Sequence, residues 1–267
     1  MEKLTMLDYV KETPGVLRTN IEQYTALVEP LMKEVQQKEI KRILLVASGS
    51  SHNACYCARS FVEKVSGLEV RIITPYTFTY YENDIKENDL VLVVTQSGLS
   101  TNAIEALKII KKKQCRAICL TGNINSDVKD VADVVIEYGV GEELVGYVTK
   151  GVSTLALFLD LFAITYSGKT EYLEELKKAV NLNEEMIEKA TEFIELHYKE
   201  FSSMSWVYSC GAGANYGTAL ESALKMGETI HIPSCCYEIE EYIHGPNLQL
   251  TPQYNVIFFD GNDGASH

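Results

Sequence analysis

Short runs of β-branched and leucine residues recur along the first half of the chain: RILLVA (42–47), EVRII (69–73), LVLVV (90–94), RAICL (116–120) and DVVIE (133–137). Amphipathic stretches with helical spacing, such as 53–65 and 100–113, separate most of them. Strands this apolar need cover on both faces, and strands alternating with helices predict a doubly wound parallel α/β sheet. Ahead of the first strand, residues 1–40 read as a helical lead-in. Leu17, Ile21, Leu27, Leu31 and Val35 form its loose apolar stripe, and Thr13-Pro14 marks a turn or helix start.

Beyond the fifth strand, 150–166 reads as a helix whose segment STLALFLDLFAITY (153–166) is apolar enough to be buried. That segment is too short to span a bilayer and contains Asp160. A second helix over 171–199 is rich in Glu and Lys. The pattern then restarts, because SWVYSCGAGANYGTALESALKM (205–226) echoes ILLVASGSSHNACYCARSF (43–61), with Gly49 and Asn53 recurring as Gly211 and Asn215. We read a duplicated α/β unit. The expected organisation is a first unit over 41–170, a connecting helix over 171–200 and a second unit over 201–267. That second unit has strands at 206–209, about 235–239 and 255–259. Two strands of the first copy have no counterpart, so the second copy reads as truncated. Either the chain continues beyond 267 or something else covers the open sheet edge.

Net charge changes what the fold could bind. At −13 over 267 residues, the mean field repels nucleic acid and anionic membrane, so an anionic small ligand needs local backbone donors. The first residues lack the apolar stretch of a secretion signal, which points to the cytoplasm. Seven cysteines without C-x-x-C or Cys/His ligand spacing read as buried thiols, and no metal site is expected.

The candidate chemistry sits at strand ends. SGSSHN (48–53) follows the first strand and TQSGLS (95–100) the third, each leading into a helix whose first N–H groups attract anions. Gly49, the hydroxyls of Ser50, Ser51, Thr95, Ser97 and Ser100, and the Gln96 amide would build a phosphate cage from neutral donors. The competing account is that these serines and threonines are helix N-caps. Thr149 and Lys150 open the buried helix, where a cation opposes the dipole, so they face either a ligand or solvent. Glu221, Lys225 and Glu228 share one helix face, which fits an ion-pair ladder on a surface as well as a site. His244 precedes Gly245-Pro246 and is unremarkable alone.

Together, TQSGLS, SGSSHN and ALESALKMGE followed by EYIHGP resemble the sugar isomerase (SIS) family. The likeness is to its double-domain branch, which holds the isomerase half of glucosamine-6-phosphate synthase and the fructosamine-6-phosphate deglycases. The resemblance runs from ETPGVLRTNI (12–21) onward. It implies two tandem units of flavodoxin-like strand order, with the first two loops cradling a sugar phosphate. It also implies Glu228 as the base moving a proton between C1 and C2, Lys225 one turn before it, and His244 assisting ring opening across a homodimer interface. No cofactor is implied.

Three departures accompany the likeness. The chain starts Met1-Glu2-Lys3 with no catalytic cysteine, so glutaminase activity is not expected. Thr95 stands where serine is usual and Leu99 where glutamate is usual, and the family's closing C-terminal tail has no counterpart up to His267. The expected function is deglycation or aldose–ketose isomerisation of an amino-substituted fructose 6-phosphate. A non-catalytic sugar-phosphate-binding or regulatory module is the alternative.

Overall fold

The computed structural model describes residues 4–261 and 264, and these divide into two compact units, one ending at Val180 and the other starting at Asn181. The first opens with helices α1 (Met6–Glu22) and α2 (Tyr24–Val35). Thr5 and Asp8 form a capping box that starts α1 well before Pro14. Pro14 therefore lies inside α1 rather than at a helix start, with the Thr13 hydroxyl donating to the Tyr9 carbonyl at 2.8 Å.

Strands β1 (Arg42–Ala47), β2 (Glu69–Ile73), β3 (Asp89–Thr95), β4 (Ile118–Thr121) and β5 (Val134–Glu137) form one parallel sheet in the order β2-β1-β3-β4-β5. The connections contain α3 (Gly49–Ser66), α4 (Pro75–Tyr80) and α5 (Thr101–Lys112), and α6 (Lys150–Ser167) follows β5. Strand periodicity of two divides the core into two layers. Ile43, Leu45, Ala47, Leu90, Leu92 and Val94 face one cluster, which includes buried residues of α1, α2, α3 and α6. Leu44, Val46, Val91 and Val93 face the other, with Phe78 of α4 and Ala103, Ala106, Leu107 and Ile110 of α5. Leu155, Leu157, Phe158, Leu159, Leu161 and Phe162 of α6 are all buried, as an all-round apolar helix requires. No helix among the described residues is long and apolar enough to cross a membrane.

Helix α7 (Tyr172–Leu196) spans the division, and α8 (Tyr198–Ser202) precedes the second sheet. There β6 (Trp206–Gly211) lies between β7 (Ser234–Glu238) and β8 (Tyr254–Phe259), all parallel, with α9 (Ala214–Lys225) and α10 (Ile239–Ile243) in the connections. The order β7-β6-β8 repeats β2-β1-β3, so the unit is duplicated. The register differs from the sequence echo by two positions. Arg42 corresponds to Trp206 and Ala47 to Gly211 as strand ends, and Gly49 (φ +57°) to Gly213 (φ +56°) as the left-handed residue at the strand–helix turn. Tyr208, Cys210 and Tyr242 form the small core, with Trp206, Tyr237 and Tyr254 against it.

Arg42 and Asp89 open β1 and β3 directly opposite each other. Their side chains are 12% and 3% exposed, and the guanidinium donates from Nε at 2.9 Å and from Nη2 at 2.6 Å to the two carboxylate oxygens. Burial raises the Asp89 pKa, but the bonds from Arg42 and from the Lys86 N–H outweigh it, and the pKa lies below the usual carboxylate value. The pair therefore contributes stability above about pH 4, lost as pH falls through the depressed pKa. Asp89→Ala strands a buried cation and is expected to lower the unfolding free energy by about 3 kcal/mol at pH 7. Urea melts of both proteins should show that gap closing as pH falls below about 4.

Candidate functional site

Residues Arg42–Ala47 of β1 pair in register with Asp89–Val94 of β3, so the two strands end side by side. Only Ser48 separates β1 from α3, and SGSSHN is therefore mostly the first turn of α3 rather than a loop before it. Gly49 takes φ +57° to make that turn, a conformation L side chains resist. After β3 the chain turns at Gly98 (φ +67°), where a Cβ would lie 1.7 Å from the Ser126 Oγ, and enters α5 from Ser100. Ser48 and Ser100 occupy the N-cap positions, yet neither side chain caps its helix. The capping account thus fails for both N-cap serines.

A cleft of about 770 Å³ opens between these two turns, lined by Ser50, Ser51, Thr95, Gln96, Ser97 and Ser100 among others. Ser50, Ser51 and Thr95 are buried, while the Ser97 hydroxyl accepts from the Leu99 N–H at 3.2 Å. Gly49 underlies the cleft wall without lining it. The segment after β5, from Val140 to Val148, supplies the opposite side. Among the described residues lining the cleft there is no Lys, Arg or His; its charged members are Glu142 and Glu143.

Glu143 was not legible as a site residue, yet it organises this wall. Its carboxylate accepts from the N–H groups of Thr149 (2.8 Å), Lys150 (3.0 Å) and Gly151 (3.4 Å), capping α6 from outside, and from the Gln96 Nε2 at 2.5 Å. An anion there suits the helix dipole. The Gln96 Oε1 in turn accepts from the Tyr138 hydroxyl at 3.2 Å, and burial pushes that phenol's pKa well up. One Gln96 amide hydrogen is thus committed to Glu143, and the side chain is a fixed wall rather than a freely rotating ligand.

Thr149 and Lys150, read from the sequence as facing either a ligand or solvent, do not line this cleft. The Thr149 hydroxyl donates to the Tyr147 carbonyl at 2.9 Å. Lys150 is 1% exposed, its Nζ 3.0 Å from Glu12 and 5.2 Å from the Tyr9 ring centroid. Glu143 and Glu12 explain why a lysine is tolerated at a helix start. Cys55, Cys119 and Cys210 are buried, but Cys57, Cys115, Cys235 and Cys236 are only half-buried, correcting the expectation of uniformly buried thiols. No cluster of three or more His, Cys, Asp or Glu suited to a metal occurs among the described residues.

In the second unit, α9 runs into a π-helical turn over Met226–Ile230, a wide turn often found at functional positions. Lys225 Nζ lies between two carboxylates, 3.0 Å from Glu221 and 2.7 Å from Glu228. Lys225 and Glu221 are each 14% exposed and Glu228 36%, so the ladder is sunk into the surface rather than solvated along its length. His244 is exposed at the C-cap of α10, with its Nδ1 2.8 Å from the Glu240 carbonyl. A carbonyl can only accept, so Nδ1 carries a proton, and Nε2 is the ring nitrogen outside this bond.

Residues 38–165 match the SIS domain family, over the whole five-stranded sheet with α3, α4, α5 and most of α6. This segment is a SIS domain. Beyond it, the chain is 27% identical over 255 residues to a glutamine–fructose-6-phosphate aminotransferase (isomerizing) of Clostridium tetani, covering 90% of this chain and 42% of that protein. The same enzyme of Caldanaerobacter subterraneus is 29% identical over 229 residues, 82% of this chain and 37% of the relative. The chain thus spans about two fifths of the length of the curated relatives it matches. A solved Clostridium difficile protein, proposed to be a phosphosugar isomerase, superposes with TM-score 0.87 at 26% identity, covering 98% of this chain and 77% of that one. The C-terminal domain of glucosamine-fructose-6-phosphate aminotransferase from Francisella tularensis has the same fold, with TM-score 0.85 at 23% identity, covering 98% of this chain and 78% of that one.

The SIS domain's cleft wall depends on a glycine. A Cβ on Gly151 would lie 1.8 Å from the Gln96 Oε1, whereas Gly15 in α1 has nothing within 4 Å. Gly151→Ala is expected to cost about 1–3 kcal/mol by displacing Gln96 from Glu143 and Tyr138. Gly15→Ala should stabilise by up to about 1 kcal/mol through helix propensity. Thermal melts of the two variants should shift in opposite directions.

Proposed function

We propose that the protein acts on an amino-substituted fructose 6-phosphate, moving a proton between C1 and C2 to isomerise the sugar or to release its amine. The observation that carries this reading is the pair of adjoining helix starts without side-chain caps, facing one cleft lined by neutral hydroxyls. Such a site offers a phosphate dianion several backbone and hydroxyl donors. The names of the relatives, aminotransferases acting on fructose 6-phosphate, support the same substrate class.

In this reading Ser50, Ser51, Thr95, Ser97 and Ser100 hold the phosphate, and that remote binding energy positions the carbon chain. Glu228 takes the proton from one carbon and returns it to the next. The Lys225 ammonium at 2.7 Å orients its carboxylate between turnovers. His244, with Nδ1–H held by the Glu240 carbonyl, uses Nε2 to exchange a proton with the ring oxygen as the sugar opens. A homodimer in which His244 serves the partner's site completes the arrangement. The reaction is proton transfer throughout and needs no cofactor, and we place it in the cytoplasm.

One observation favours a second reading, a sugar-phosphate-binding module without turnover: Glu228 is 36% exposed on its side chain and His244 is exposed. Turnover of a fructosamine 6-phosphate decides between them. The wild type should release or isomerise the sugar, and Glu228→Gln should lower kcat by about a hundredfold or more with KM changed little. Equal rates would remove Glu228 from the chemistry, and tight binding without product in the wild type would establish the module.

A further inference from the structure

The cleft is chemically two-sided. Its hydroxyl end suits a phosphate, but the rest of its lining does not suit a bare sugar. Val140, Leu144, Val145 and Val148 from the segment after β5, and Leu99 from the turn after β3, present apolar surface, and Leu99 and Leu144 are 56% and 70% exposed. The backbone is held there, because the Tyr9 hydroxyl accepts from the Leu144 N–H at 2.9 Å and Glu143 ties the segment to α6. A hexose phosphate carries a hydroxyl or carbonyl on nearly every carbon and gains little from leucine. The volume of about 770 Å³ lies in the upper part of the range for small-molecule sites, leaving room for a substituent.

Charge narrows the substituent further. With Glu142 and Glu143 as the charged residues lining the cleft, a carboxylate seated on this wall would meet like charge, and the Lys225 ammonium is already engaged by Glu221 and Glu228. A secondary amine attached to C1 of a ketose is protonated near neutral pH and would meet the opposite sign. Glu143 is engaged by α6 and Gln96, which leaves Glu142, exposed on the same segment, as the group for that ammonium.

Resting on the phosphosugar reading above, we propose that the amine portion of the substrate is apolar and lacks a carboxylate, its hydrocarbon seated on Leu99 and Leu144 and its ammonium beside Glu142. The cleft would therefore discriminate against sugar adducts of amino acids, whether their side chains are polar or not.

Calorimetry on the full chain with four compounds tests this: fructose 6-phosphate and the 1-deoxy-1-amino-fructose 6-phosphates of isopentylamine, leucine and ethanolamine. The isopentylamine adduct is expected to bind about tenfold or more tighter than the leucine adduct, which adds a carboxylate, and than the ethanolamine adduct, which lacks the hydrocarbon. Glu142→Lys should shift the leucine-to-isopentylamine affinity ratio by about tenfold toward leucine, and Leu144→Ser should narrow the isopentylamine-to-ethanolamine ratio. If fructose 6-phosphate binds but the three adducts bind alike, or the leucine adduct binds best, this inference is wrong and the phosphosugar reading stands. If none of the four binds, both fall.

Discussion

Parallel pairing of β1 with β3 is the constraint on which the candidate site depends. Because the two strands run in register from Arg42 opposite Asp89 to Ala47 opposite Val94, they release the chain at the same edge of the sheet. Two helices then begin within one or a few residues of that edge, α3 at Gly49 and α5 at Thr101. Their dipoles add at one place, and a ligand placed there meets donors from both. The buried Arg42–Asp89 pair at the far end fixes the same register by charge.

A second constraint closes the other side of the cleft. Glu143 satisfies three N–H groups at the start of α6 and holds Gln96, which in turn meets Tyr138. This makes α6 different from α3 and α5: its N-terminus already holds an anion belonging to the chain. The proposed phosphate site is thereby confined to two of the three helix starts, and the segment carrying Glu143 becomes a firm wall bearing Leu144 and the valines.

Much of the architecture was legible because burial on two faces leaves a plain signal. RILLVA, LVLVV and EVRII matched their strands almost residue for residue, since nothing but a covered parallel sheet suits such runs. Helix starts were harder to read. Gly49, Ser50, Ser51 and His52 are poor helix formers, so α3 looked to start four residues later than it does, and tertiary packing of Ala54, Cys55 and Ala58 overrode their propensity. Pro14 looked like a boundary but sits within α1, where Tyr9, Leu17 and Ile21 bury the helix on either side of it. The short helix α4 was not foreseen, although Thr74-Pro75 carries the usual cap and first-turn residues.

The sequence by itself determined the doubly wound sheet, the duplication and the hydroxyl-rich turns, because apolar periodicity and small polar residues are local properties of a chain. Tertiary structure alone decided the partners. It set Lys150 on Glu12, 138 positions away, and Gln96 on Glu143, 47 positions away, and it moved the register of the repeat by two residues. Such choices belong to distance and burial in three dimensions, since a carboxylate near a lysine or a helix start in space leaves no mark on the spacing of residues along the chain.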